Sequence, residues 1–199
     1  SFQTTSSWPD APFQSPAVHV LLNGVHGIRL TACELRNTAP ELFAPDATGM
    51  GIFAFDAGFR VLGDNDPDIS AFENLNIGVM TYPGPMETYT VDHMHFLNNM
   101  WGIYDMSCVA AQVTRNTFLV PDQGSFSRLA VGLLLHASTD YTVAENTYFG
   151  HTADRSAGIY FLGPQPAENR IYNNSFAQLF AGTLVDGRHK GNTPGFEYN

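Results

Sequence analysis

Lysine is almost missing from this 199-residue chain: Lys190 stands alone beside eight arginines, against nineteen acidic residues. The net charge of −10 argues against a nucleic-acid partner, which needs a basic face to neutralise phosphates. Charged residues are only 14% of the total, so Asn, Thr, Ser and Gln must carry much of the solvated surface. Two cysteines, Cys33 and Cys108, are too few for a disulfide framework. No segment approaches the ~18 consecutive apolar residues that a helical membrane span needs. Helical repeats are disfavoured too, because no stretch keeps a 3.6-residue apolar period over ten or more residues. The leucine-rich pattern is absent. Eighteen glycines and twelve prolines imply many turns and few long helices.

What the chain does have is a repeat. Gly102–Phe118 reads GIYDMSCVAAQVTRNTF, and Gly132–Tyr148 reads GLLLHASTDYTVAENTY, with the same opening and the same Asn-Thr-aromatic close. Gly158–Phe176, GIYFLGPQPAENRIYNNSF, is that unit with two extra residues in its middle. Val91–Phe96 repeats the closing half and Gly27–Cys33 the opening half. Glycines followed by a hydrophobic or small residue fall at positions 27, 51, 78, 102, 132, 158 and 182, at intervals of 24 to 30 residues. A second marker, an aliphatic with an aromatic five residues on, falls at Val91/Phe96, Val113/Phe118, Val143/Tyr148 and Ile171/Phe176. A period of this length is the mark of a stacked-repeat architecture. The short alternating runs, bounded by Gly, Pro, Asn and Asp, read as strands.

In its repeated G-I-x and N-[ST]-[FY] elements the sequence resembles the right-handed parallel β-helix proteins, the pectate-lyase-like solenoids of secreted bacterial surface proteins and polysaccharide-active enzymes. The resemblance spans roughly residues 18–187. It implies an all-β solenoid of about seven rungs and an extracellular or cell-surface location, of bacterial type. Residues 1–17 read as an extended lead-in, or a strand packed over the first turn, and 188–199 as a polar tail. Ser1 opens without a charged or apolar leader, which suggests a mature product or a piece of a longer chain with further domains. Asn116, Asn146 and Asn174 are expected to stack at one turn and satisfy its backbone groups, with the aromatic two residues later stacking in the core. Cys33 and Cys108, each six residues after a repeat glycine, are expected roughly 14 Å apart at the usual strand spacing, out of disulfide reach.

Alternation along the first strand of each unit puts Ile28, Ile52, Val79, Ile103, Leu133, Ile159 and Thr183 inside. The columns Arg29, Phe53, Met80, Tyr104, Leu134, Tyr160, Leu184 and Thr31, Phe55, Tyr82, Met106, His136, Leu162, Asp186 then point outward. An apolar outer strip is covered by another segment or binds something. Phe53, Phe55, Tyr82, Tyr104, His136 and Tyr160 are therefore the candidate binding residues, for sugar rings or a protein partner. Protruding loops are expected at Pro121–Ser127, Pro83–Thr88 and His151–Ser156.

Catalytic candidates are weaker. Asp92, His93 and His95 form a compact group, with alternation placing Asp92 and His93 on opposite faces. His136, Asp105 or Glu145 on neighbouring rungs would complete an acid–base or metal site. Asp64, Asp66 and Asp68 alternate as calcium ligands do, but without the glycine and distal Glu of an EF-hand. A solvated acidic turn is the preferred reading of them. The resemblance implies specific enzyme signatures, and they are missing. Lyases of this fold use a Lys or Arg base, whereas the arginines here look scattered, with no pair spaced like a basic cleft. The N-T-D, D-D and G-H-G motifs of polygalacturonases do not occur. The expectation is a non-catalytic structural or adhesive module without a cofactor. A polysaccharide lyase or glycoside hydrolase is the alternative.

Overall fold

A computed structural model describes residues 2–4, 17–38, 49–64, 66–82, 88–121, 129–150, 155–163 and 169–186. The expected loop cores (83–87, 122–128 and 151–154) and the tail lie outside the described residues. Among the described residues there are strands and turns and no helix, hence none long and apolar enough to cross a membrane.

Among the described residues, twenty short strands wind through three parallel sheets in strict rotation. Sheet A holds β1 (Phe2–Thr4), β4 (Leu35–Asn37), β7 (Ala71–Glu73), β10 (His95–Leu97), β13 (Thr117–Val120), β16 (Thr147–Gly150) and β19 (Ser175–Ala177). Sheet B holds β2 (Val18–Asn23), β5 (Met50–Phe55), β8 (Ile77–Tyr82), β11 (Trp101–Met106), β14 (Ala130–His136), β17 (Ser156–Leu162) and β20 (Ala181–Asp186). Sheet C holds β3 (His26–Thr31), β6 (Gly58–Leu62), β9 (Tyr89–Asp92), β12 (Gln112–Thr114), β15 (Thr142–Ala144) and β18 (Arg170–Tyr172). The chain is a parallel β-solenoid, seven strands deep on two faces and six on the third. The lead-in contributes a strand of its own, since β1 pairs with β4.

Three inward columns fill the interior. Sheet B supplies Val20, Ile52, Val79, Ile103, Leu133, Ile159 and Thr183. Sheet C supplies Val61, Val91, Val113, Val143 and Ile171. Sheet A supplies a stack of rings, Phe72, Phe96, Phe118, Tyr148 and Phe176, with neighbouring centroids 4.9, 4.6, 4.7 and 5.1 Å apart. That spacing is the strand separation itself, so stacking follows from the parallel register.

The turn from sheet C to sheet A is the tightest. In four successive coils it is two residues long, and its first residue takes the left-handed conformation: His93 (φ 56°), Arg115 (55°), Glu145 (59°) and Asn173 (54°). In three of these coils the second residue is the expected asparagine. Asn146 Nδ2 donates to the Val113 carbonyl (2.9 Å) and to Asn174 Oδ1 (2.9 Å), while its Oδ1 accepts from Asn116 N (2.9 Å) and Nδ2 (3.0 Å). Asn116 repeats the pattern one coil back, accepting from Met94 N at 2.9 Å. Each side chain thus satisfies backbone groups that the buried corner would strand.

The first coil differs from the repeat read in the sequence. Gly27 lies in sheet C, and Val20 of β2 fills the column assigned to Ile28. Gly27 (φ 74°) is the extra residue of a bulge, because His26 pairs with Gly58 while Ile28 pairs with the next residue, Phe59. A glycine-aliphatic pair at a bulge imitates the glycine-aliphatic pair near the start of β5, β8, β11, β14 and β17 in sheet B. Leu21 and Asn23 consequently replace Arg29 and Thr31 at the head of the two outer columns. Cys33 and Cys108 are not equivalent either: Cys33 follows β3 and is half-buried, whereas Cys108 follows β11 and is buried. Neither cysteine is in a disulfide.

Candidate functional site

The outer face of sheet B gathers all six residues singled out for binding. Phe53, Met80, Tyr104, Leu134 and Tyr160 succeed one another in one column. Phe55 and Tyr82 are partners in the second, as are Met106 and His136. In β11 burial alternates: Ile103 and Asp105 are buried while Tyr104 between them is half-exposed. Phe53 and Tyr82 meet edge to face at 5.9 Å, and Trp101 and Tyr104 at 5.2 Å. Leu21 is 64% exposed and Phe55 47%, whereas Leu134, between Tyr104 and Tyr160, retains 5%. The face therefore carries half-open aromatic rings, with Phe53, Tyr104 and Tyr160 on every second strand of one column and Met80 and Leu134 between them.

The Asp92, His93 and His95 group sits elsewhere, at the corner between sheets C and A. Alternation fails there because His93 is the left-handed turn residue. Asp92 and His93 are in contact, with His93 Nδ1 3.0 Å from Asp92 Oδ2, and do not lie on opposite faces. The Asp92 carboxylate also accepts from Arg115 Nε (2.9 Å), Arg115 Nη2 (2.8 Å) and Thr114 Oγ1 (2.7 Å). Burial opposes its charge, but these hydrogen bonds outweigh burial and hold the carboxyl below its usual value. Asp92 is thus saturated as an acceptor and fastens two coils together, a poor starting point for a base.

Asp105 faces inward, not towards the histidines. It is fully buried and accepts from Tyr89 Oη (2.8 Å), Ser138 Oγ (2.7 Å) and the Cys108 amide (3.2 Å). Burial pushes its carboxyl upward against those three donors. The Cys108 thiol in turn donates to Thr81 Oγ1 at 3.1 Å. Nothing in the sequence pattern separates this buried carboxylate from a surface one, except its place in a mainly apolar inward column that also holds Thr81.

In the acidic turn, Asp64 Oδ1 accepts from Ser70 Oγ (2.7 Å) and the Asp66 amide (3.1 Å), and Asp66 Oδ1 accepts from the Asp68 amide (3.0 Å). The Ser70 hydroxyl and the Asp66 amide hold the Asp64 carboxyl below its ordinary value. The oxygens shape the turn locally. Among the described residues no three His, Cys, Asp or Glu side chains group as metal ligands.

One arrangement escaped sequence reasoning. Arg29 and Arg60 are direct partners on β3 and β6, inside a groove on the outer face of sheet C. The arginines are therefore not all scattered. Assigning Gly27 to sheet B displaced Arg29 from its true column and hid the pair. The bulge was the missing signal. No known protein-family model, curated protein or solved structure matches this chain.

Proposed function

We propose that the chain is a non-catalytic module of an extracellular or cell-surface protein, which binds neutral polysaccharide along the outer face of sheet B. The observation that carries this reading is the alignment of Phe53, Tyr82, Tyr104 and Tyr160 on one face, half-exposed. Planar rings with an apolar body and, in tyrosine, a polar edge suit the apolar faces and hydroxyl rims of pyranose rings. Rings spread along the stack of coils serve a linear polymer better than a compact ligand. The net charge of −10 favours an uncharged polymer over a polyanionic one on that face. Membership of the pectate-lyase-like group belongs to the same reading and rests on the repeated G-I-x and N-[ST]-[FY] elements.

The test is a glycan-array screen, followed by incubation with each bound polysaccharide and assays for new reducing ends and unsaturated uronate absorbance. Binding without turnover is expected. Turnover would replace this reading by that of a carbohydrate-active enzyme. A silent array would leave a structural role or a protein partner.

A further inference from the structure

The sheet C groove, about 530 Å³ and half open, is bounded by His26, Arg29, Arg60, Thr88, Thr90 and Gln112. The register fixes its layout: Arg29 stands beside Arg60, Arg60 beside Thr90, and Thr90 beside Gln112, each one strand apart. Two guanidinium groups one strand spacing apart repel, and like charges directly across a ladder are destabilising. Proteins commonly offset such a pair with a carboxylate. Arg36 and Arg115 have such carboxylates, but among the described residues neither Arg29 nor Arg60 has an acidic partner. This holds in a chain with nineteen acidic residues.

Arg29 makes a single hydrogen bond, from Nε to Thr31 Oγ1 at 3.3 Å, which leaves its terminal N–H groups unengaged. Across the groove floor, a side chain at position 58 would crowd His26, since a Cβ there would stand 3.2 Å from Nδ1. Glycine at that position keeps the imidazole beside the arginines. Thr88, Thr90 and Gln112 add neutral polar groups along the other wall. Cationic forks that match planar or tetrahedral oxyanions, set in a concavity with hydroxyl and amide neighbours, make an anion site.

We propose that this groove binds an oxyanion. Arg29 and Arg60 hold a carboxylate, sulfate or phosphate group between them, and Thr88, Thr90 and Gln112 hydrogen-bond the polar groups of the ligand that bears it. The site is on a different sheet from the aromatic face and stands independently of it.

The experiment is a titration of the isotope-labelled protein with sodium acetate, sulfate and phosphate, against chloride at matched ionic strength, followed by amide chemical shifts. Saturable shifts confined to His26–Arg29, Gly58–Arg60, Thr88–Thr90 and Gln112 are expected. Arg60→Gln should weaken binding about tenfold or more, as loss of a charge-assisted pair does. Arg170→Gln, in the same outer column beyond the groove, should leave it unchanged. Without anion, Arg60→Gln should melt no lower than the parent, because it removes like-charge repulsion. Arg29→Gln and Gln112→Leu repeat the test should that variant not fold. Glucuronate, glucose 6-sulfate and glucose 6-phosphate, with glucose as control, separate free from sugar-borne anions. Tighter binding of a sugar-borne anion supports the roles of the threonines and Gln112, and equal affinity overturns them. Non-saturating shifts, shifts elsewhere, or equal weakening by Arg170→Gln would overturn the site.

Discussion

Gly102 lies flat against the ring of Phe118: a Cβ on Gly102 would stand 2.8 Å from Phe118 Cδ1. The same relation joins Gly51 to Phe72, Gly78 to Phe96, Gly132 to Tyr148 and Gly158 to Phe176, at 2.6 to 2.9 Å. The glycine column of sheet B is thus the seat of the ring column of sheet A. The two sequence markers keep one phase because they are two halves of a single packing device. These glycines are required for close approach, since their φ values are ordinary.

Gly102→Ala should therefore destabilise the solenoid by about 2 kcal/mol through overpacking, read as a lower denaturant midpoint at unchanged m-value. Combining it with Phe118→Leu should recover part of the loss, so that the two changes are non-additive. Full recovery is not expected, because the added methyl also meets the Gly132 carbonyl of the next coil. Additive losses would disprove the pairing.

Asn146 occupies the middle of the corner ladder, with hydrogen bonds to both neighbouring coils. Asn146→Ala strands the Asn116 amide and takes the side-chain donor from the Val113 carbonyl, and should cost roughly 3 kcal/mol. Hydrogen exchange should report the break locally, with faster exchange at Asn116 than in β11.

Tyr148 is the only hydroxyl-bearing ring in a column of phenylalanines, and its Oη is buried without a hydrogen-bond partner. Tyr148→Phe keeps the stack and removes a stranded polar atom. It should stabilise the protein by about 1 kcal/mol, visible as a raised melting temperature. A loss of stability would mean that the hydroxyl is solvated.

Two carboxylates should give pH dependences of opposite sign. Asp92 is depressed below the ordinary 3.8, so the stability it contributes is present above that value and lost as pH falls through its folded pKa. Asp105 is raised above 3.8. The folded chain then holds a proton that the unfolded chain has released, and stability falls as pH rises from 3.8 to the folded pKa. Denaturation midpoints measured against pH should lose the acid-side decline in Asp92→Asn and the opposite slope in Asp105→Asn. Unchanged profiles in both variants would refute these assignments.

Polysaccharide binding on sheet B should fall in Tyr104→Ala and in Tyr160→Ala, by about tenfold each for a lost stacking contact. It should survive Asp92→Asn and His93→Ala, which alter a corner on another part of the coil. Isothermal titration with the strongest array ligand reads both comparisons. Loss with the corner variants, and not with the tyrosines, would move the site to the corner.

Asn116, Asn146 and Asn174 were legible because a stacked corner reuses one side chain from coil to coil. The aromatic face was legible from alternation, which holds wherever a strand stays extended. Both rules failed locally. Alternation breaks at His93, where a left-handed residue turns the chain and brings Asp92 and His93 together. The repeat phase breaks at Gly27, where a bulge inserts one residue into β3.

From the sequence alone came the stacked architecture, the inward column and outer face of sheet B, and the aromatic stack, because one-dimensional repetition maps directly onto a one-dimensional stack. Only the tertiary structure decided which sheet each early residue joins, that Asp105 turns inward to Tyr89 and Ser138, and that Arg29 meets Arg60. Those outcomes depend on a bulge, a turn angle and contacts between coils some thirty residues apart. Such features are local in space and leave no period in the chain.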